Sequence, residues 1–259
     1  MRYLKEHIRA ILNAFGLDVK LRNNPTSKFS QLTGIINKTN ASKLLDIGAN
    51  IGQFSSEALV ANNEIEIVCV EPIPSVNSQL SKKFKKNKRI DVLEPLAVCK
   101  EDGMVTLNLS KNLVSSSLLP MEILHKEKAP DSEVIERIIV EGVKLDTLFQ
   151  KKLNKSNDDT NVQREWIIKI DAQGAEYDIL LSAEQSVKYI AGFICELSLK
   201  ELYSKQVLWL DFIEKMKSLD YVPFFIQTGF SDPETSETLQ IDVGFIHNSF
   251  DENSLSSIK

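Results

Sequence analysis

The stretch Leu44-Leu45-Asp46-Ile47-Gly48-Ala49-Asn50-Ile51-Gly52 decides the fold. Apolar residues run into a turn with two glycines, and residues 52–62 then read as a helix. Strand, glycine turn and helix in that order open a parallel α/β unit, where ligands bind beyond the carboxyl ends of the strands. The rhythm continues outward. Residues 65–70 are apolar and β-branched, as a buried strand is; 74–87 form a helix with Pro74 in its first turn; 90–96 read as a third strand. This β-α-β-α-β order implies a parallel sheet with right-handed crossovers.

Beyond residue 100 the pattern changes. Residues 104–109 and, more loosely, 134–143 alternate apolar and polar, as half-exposed strands do. Between them, residues 113–132 carry Ser115-Ser116-Ser117, Pro120 and Pro130. Loops of that length in compact domains are usually functional, so this one is expected to cover or shape a substrate pocket. After a polar break over 154–164, a strand (166–170), a helix (175–181) and a strand (190–197) follow. Trp209, Phe212, Ile213 and Met216 mark one helix face, and 221–227 and 239–247 close the chain as strands. At the other end Leu4, Ile8, Ile11, Leu12 and Phe15 recur at helical spacing before Gly16. The expected division is an N-terminal helix and linker, residues 1–40, packed on a single α/β domain, residues 41–259.

Bulk properties narrow the function. The chain is 42% hydrophobic and 26% charged with a formal net charge of −5. A mildly acidic protein exerts no long-range pull on phosphate backbones, so nucleic acid is not an expected partner. Cys69, Cys99 and Cys195 are odd in number and lie in apolar runs, which suits reduced core thiols of a cytoplasmic protein. No apolar stretch is long enough to span a membrane, and Lys5, Glu6 and Arg9 break up any secretory leader.

The turn after the first strand excludes two nucleotide sites. Gly52-Gln53-Phe54 lacks the lysine of a phosphate-binding loop. Counted from Gly48, a dinucleotide fingerprint meets Asn50 and Gln53 where glycines belong. An Asp-x-Gly-x-Asn-x-Gly turn remains. Gly48 and Gly52 let the backbone approach a ligand, and Asp46 can hold a cationic amine. Glu71, closing the second strand, suits ribose hydroxyls, and an acid ending an apolar strand is costly without a partner. These features fit S-adenosyl-L-methionine, which has no pyrophosphate to cradle.

Three segments carry a family resemblance: Leu45-Asp46-Ile47-Gly48-Ala49-Asn50-Ile51-Gly52-Gln53, Val70-Glu71-Pro72, and Ile168-Lys169-Ile170-Asp171-Ala172-Gln173-Gly174-Ala175-Glu176. Ser116-Ser117-Leu118 and residues 143–148 echo it more weakly. The chain resembles the FkbM-type methyltransferases over roughly residues 40 to 250. The resemblance implies the class I methyltransferase fold: a Rossmann-like, seven-stranded, mostly parallel sheet with an antiparallel last strand, here with an inserted hairpin and loop. It implies S-adenosyl-L-methionine as cofactor and O-methylation of a hydroxyl on a small molecule or glycan, often in polysaccharide biosynthesis. It extends the cofactor positions from Asp46, Gly48, Asn50, Gly52 and Glu71 to Phe54, Pro72, Ala97 and Asp171.

Lys169 and Asp171 are two apart on a strand and share one face. Glu196 closes the next strand, and Glu176 opens a helix, where the dipole favours negative charge. These groups are expected to converge on the acceptor, with Asp171 as base or hydroxyl-orienting group, Lys169 tuning it and Glu196 assisting. Asp171, Glu176 and Glu196 have oxygen ligands that suit magnesium, but no metal is expected to be required. Among the histidines, His247 ends the last strand and is the reserve base, an ordinary strand-end hydrogen bond being its plainer role. His125 lies in the 113–132 loop, and His7 flanks the N-terminal stripe. The run Lys82, Lys83, Lys85, Lys86, Lys88 and Arg89 reads as a solvated helix face. The rival readings are a non-catalytic module that binds S-adenosyl-L-methionine and an NAD-dependent sugar oxidoreductase.

Overall fold

The computed structural model describes residues 24–153 and 162–251. The helix expected over residues 4–15 and most of the polar break lie outside the described residues. The strands are β1 (Lys43–Ile47), β2 (Glu66–Val70), β3 (Ile90–Val92), β4 (Leu96–Val98), β5 (Gly103–Ser110), β6 (Val134–Val143), β7 (Trp166–Ile170), β8 (Ile190–Ser198), β9 (Tyr221–Thr228) and β10 (Gln240–His247). The longer helices are α1 (Lys28–Thr39), α2 (Gln53–Ala61), α3 (Pro74–Phe84), α4 (Ile123–Lys128), α5 (Leu145–Leu148), α6 (Glu176–Leu181) and α7 (Trp209–Ser218).

Seven strands form one sheet in the order β3-β2-β1-β7-β8-β10-β9. β1 pairs in parallel with β2 and β7, and β7 with β8. Only β10 runs against its neighbours, being antiparallel to both β8 and β9. The inner strands are near-continuous apolar runs because helices cover both faces. Successive residues alternate sides. Leu45, Ile47, Ile168, Ile170 and Phe193 pack with Ile179, Phe212 and Met216 on one face. Leu44, Ile67, Ile167 and Ile194 pack with Leu32, Ala58 and Leu80 on the other.

One expected strand is two. Residues 90–96 split at Pro95: β3 stays on β2, whereas β4 joins a second, three-stranded sheet ordered β4-β6-β5. Proline has no N–H for a ladder, so the break between the sheets falls there. The segment 113–132 is also more ordered than its composition indicates. It contains α4, and Lys128 at the end of that helix pairs with Asp232 at 3.2 Å and Glu234 at 2.9 Å in the β9–β10 turn.

Candidate active site

The turn after β1 is shaped by close approach. Gly48 has φ 75°, and a Cβ there would lie 1.9 Å from the carbonyl oxygen of Asp171. The turn is therefore pressed against the exit of β7, where the Asp171 N–H donates to the Ile47 carbonyl at 3.1 Å. At Gly52, also at φ 75°, a Cβ would meet the Phe84 ring at 2.3 Å. Asn50 is left-handed as well, which asparagine tolerates better than most residues.

Two side chains from neighbouring elements hold this turn. Glu71 accepts the Asn50 N–H at 3.0 Å on one oxygen and the Ile73 N–H at 2.9 Å on the other. Lys83 donates to the carbonyls of Ile51 and Gly52 at 2.8 and 3.0 Å. The basic run, of which only Lys82 and Lys83 lie on α3, is thus more than a solvated face, since Lys83 ties down the glycine turn.

A cavity of about 650 Å³ opens above the turn. Gly48, Asn50, Phe54, Glu71, Pro72, Ala97 and Asp171 all line it, together with Lys169 and Glu196. Asp46 and Gly52 are not on its wall. Asp46 is fully buried beneath the turn, where one oxygen accepts the Ser55 hydroxyl at 2.6 Å and the other has no partner among the described residues. Burial pushes its carboxyl up.

At the carboxyl ends of β7 and β8 the expected cluster assembles. The Lys169 ammonium lies 2.9 Å from one Asp171 oxygen and 5.6 Å from the centre of the Phe54 ring. Burial alone would lower that ammonium, but Asp171 and Asp46 outweigh it and hold it above its ordinary value. Burial alone would likewise raise Asp171, but Lys169 prevails and keeps its carboxyl below the usual carboxylate range. Glu196 behaves in the opposite way. Burial, with Asp171, Asp242 and Glu176 close by, pushes it well above its ordinary value despite Lys169. The surroundings thus pull two neighbouring carboxyls in opposite directions, Asp171 down and Glu196 up. Glu176 does not join them. It turns back to accept the N–H groups of Ala172 and Gly174 at 3.0–3.1 Å, so it shapes the turn and is absent from the cavity wall.

The opposite wall was not legible beforehand. Lys28, Phe225, Gln227, Phe230, Gln240 and Asp242 line it. Lys28 pairs with Asp242 at 3.0 Å, and Gln240 donates to Glu196 at 2.9 Å. Strand reversal supplies Gln240 and Asp242, whereas Lys28 opens α1 and Phe225 and Gln227 lie near the carboxyl end of β9. Because β10 runs backward, its first residues, not its last, lie at the carboxyl ends of the parallel strands. For the same reason His247 is displaced to the far end of the sheet: Ile246 pairs with Gly192 at the start of β8, and His247 packs against Tyr221 and accepts the Ser249 N–H at 3.2 Å. His247 is therefore no reserve base. His125 does reach the cavity wall. Its ring packs on Tyr203 and Phe230, Nε2 lies 3.2 Å from the Ser115 hydroxyl, and Nδ1 has no partner among the described residues. Burial lowers it to about 4, so it is neutral near pH 7.

The sheet order, the reversed strand and a glycine turn backed by an acid define a class I S-adenosyl-L-methionine-dependent methyltransferase. Residues 46–223 match the family model described as the methyltransferase FkbM domain, and the chain belongs to that family. No curated protein matches the sequence. Similar solved structures include M. capricolum TrmK in complex with S-adenosyl-homocysteine (11% identity, 86% of this chain and 69% of that one, TM-score 0.46). Precorrin-6y C5,15-methyltransferase from Geobacter metallireducens is another (11%, 88% and 93%, 0.40). Aeropyrum pernix fibrillarin with S-adenosyl-L-methionine is a third (9%, 80% and 66%, 0.42). At such scores the fold rests on the sheet order, not on these likenesses.

Proposed function

We propose that this chain transfers a methyl group to a hydroxyl of a small-molecule or glycan acceptor, with Asp171 receiving that hydroxyl. The observation that carries this reading is the ionised Asp171 carboxylate on the cavity wall, fixed by Lys169 on one oxygen and by Gln173 on the other at 2.8 Å. The donor set fits S-adenosyl-L-methionine. The turn from Gly48 to Asn50 faces the cavity, Glu71 offers an acceptor for ribose hydroxyls, and Ile73, Ala97 and Val98 give an apolar wall for a purine. When bound, that cofactor supplies a methyl group already activated on a sulfonium, so the protein's work is alignment and proton removal.

Asp171 first accepts the acceptor's O–H and thereby aims the oxygen. As the new C–O bond would form at the expense of the methyl–sulfur bond, with S-adenosylhomocysteine leaving, the acceptor oxygen would become far more acidic than a carboxylic acid, and its proton would pass to Asp171. A depressed carboxylate is therefore adequate, because the proton moves late. Glu196 accepts two amide N–H groups on the same oxygen, which leaves its other oxygen for a polar group of the acceptor. Both cations on the wall, Lys28 and Lys169, are already paired with carboxylates, which disfavours a polyanionic acceptor. The three free, buried thiols suit a reducing, cytoplasmic compartment. No helix among the described residues is long and apolar enough to cross a membrane.

Incubation with methyl-labelled S-adenosyl-L-methionine and a panel of glycosides, phenols and aliphatic alcohols tests the reading, with products examined by NMR. An O-methyl product supports it. Methylation confined to nitrogen or to RNA overturns it, and so does cofactor binding without transfer to any acceptor, which is the non-catalytic alternative.

A second expectation concerns pH. Burial pushes Glu71 up to about 7 in spite of its backbone hydrogen bonds. Ribose hydroxyls donate best to the ionised form, so a proton competes with the cofactor. Affinity for S-adenosylhomocysteine should rise with pH up to about 7 and level off above it, by at most about tenfold per pH unit. Calorimetry should show this slope in the wild type and a flat profile in Glu71→Gln. A slope of the same size in both would remove Glu71 from the ribose site.

A further inference from the structure

Gln173 lies between the two carboxyls and has a role that neither the fold nor the family match assigns. Its side-chain nitrogen donates to Asp171 at 2.8 Å and to Glu196 at 2.9 Å, so the two hydrogens of one amide serve one acid each. The amide cannot be reversed without loss, because its oxygen accepts the Tyr203 hydroxyl at 2.9 Å. Tyr203 is fully buried, and its hydroxyl also lies 3.1 Å from the Ser115 carbonyl. The Gln173 main chain is tied to the same loop, its carbonyl accepting the Ser117 hydroxyl at 2.6 Å. This backbone is left-handed, with φ 50°, a conformation that residues other than glycine seldom adopt. The fold keeps that conformation at the position whose side chain spans both acids.

We propose that Gln173 is a positioning residue for methyl transfer: its amide fixes Asp171 and Glu196 against one another, and Tyr203 fixes the amide from the side of the Ser115–Ser117 loop. Closure of that loop over an acceptor is thereby coupled to the alignment of the two acids. The catalytic consequence rests on the reading of Asp171 as the group that receives the acceptor hydroxyl; the clamp itself does not.

Carboxyl-13C-labelled protein, with resonances assigned through Asp171→Asn and Glu196→Gln, tests this without any acceptor. The charged groups facing the pair are Lys28, Asp46, Lys169, Glu176 and Asp242, and none of them is altered. In Gln173→Met both acids lose a donor that favours their ionised forms, so both titrations should move to higher pH. S-adenosylhomocysteine affinity should stay within about threefold, because the cofactor turn is untouched. Tyr203→Phe should shift both titrations in the same direction and speed amide exchange over residues 113–118. It also carries the test if Gln173→Met fails to fold. Titrations unmoved in the folded variants overturn the clamp, whatever Asp171→Asn does to turnover. A normal turnover in Asp171→Asn, with the titrations shifted as expected, would instead overturn the role of Asp171 and leave the clamp standing.

Discussion

Asp171→Asn should lower methyl transfer by about 10²-fold or more, the usual cost of removing a general base, while cofactor affinity stays near that of the wild type. Asparagine keeps the size and can still accept from Lys169, so the fold of the β7 exit should survive. It cannot take the proton that the acceptor hydroxyl must lose. Single-turnover rates on any acceptor the wild type methylates, paired with calorimetry of S-adenosylhomocysteine, separate the two effects. Turnover near the wild-type rate would rule Asp171 out. His125 would then be the group to examine, since it is neutral and lies on the same wall, whereas His247 lies at the wrong end of the sheet.

Gly48→Ala is the second large effect. The added carbon would lie 1.9 Å from a main-chain oxygen, which cannot swing aside as a side chain does. Relief requires moving the β1 turn away from the β7 exit and breaking the hydrogen bond from Asp171 to Ile47. Strain of about 1–2 kcal/mol for the positive φ and about 1–3 kcal/mol for the lost bond together give a destabilisation of roughly 2–5 kcal/mol. Because the turn and Asp171 face one cavity, cofactor affinity should fall with it. Denaturant unfolding and calorimetry read both effects. Gly103→Ala is the control: Gly103 also has a positive φ, 142°, but has open space around it, so that change carries strain without collision. Equal losses from the two substitutions would contradict the close approach at Gly48.

The chemistry-bearing half of the site was legible because it is local. A strand, a glycine turn and an acid one helix and one strand later follow one another in sequence, and Lys169 and Asp171 share a face through simple alternation. The acceptor half was not. Lys28, Phe225, Gln240 and Asp242 come from three elements far apart in sequence, α1, β9 and the reversed β10, which only the assembled sheet brings to one cavity. Tyr203 carried no periodic signal, being a buried aromatic in an irregular segment. Glu176 misled for the opposite reason: its position at the start of a helix was right, but its carboxylate is taken up by the N–H groups of its own turn. Asp46 is similar, since the residue expected to meet an amine is turned beneath the turn toward Ser55.

The departure of β4 from the main sheet bears on how such enzymes diversify. Ala97 and Ser115 to Ser117, which line the same cavity, belong to one continuous piece of chain built on the β4-β6-β5 sheet. A graft that exchanged only residues 113–132 between relatives would set a foreign loop on a foreign hairpin. The natural cassette is residues 96–143, bounded by Pro95 where the chain leaves the main sheet and by Lys144 where it returns to a helix. A chimaera cut at those two points should inherit the donor's acceptor preference with its cofactor wall intact, and the seven-stranded sheet would serve as a chassis common to many acceptors.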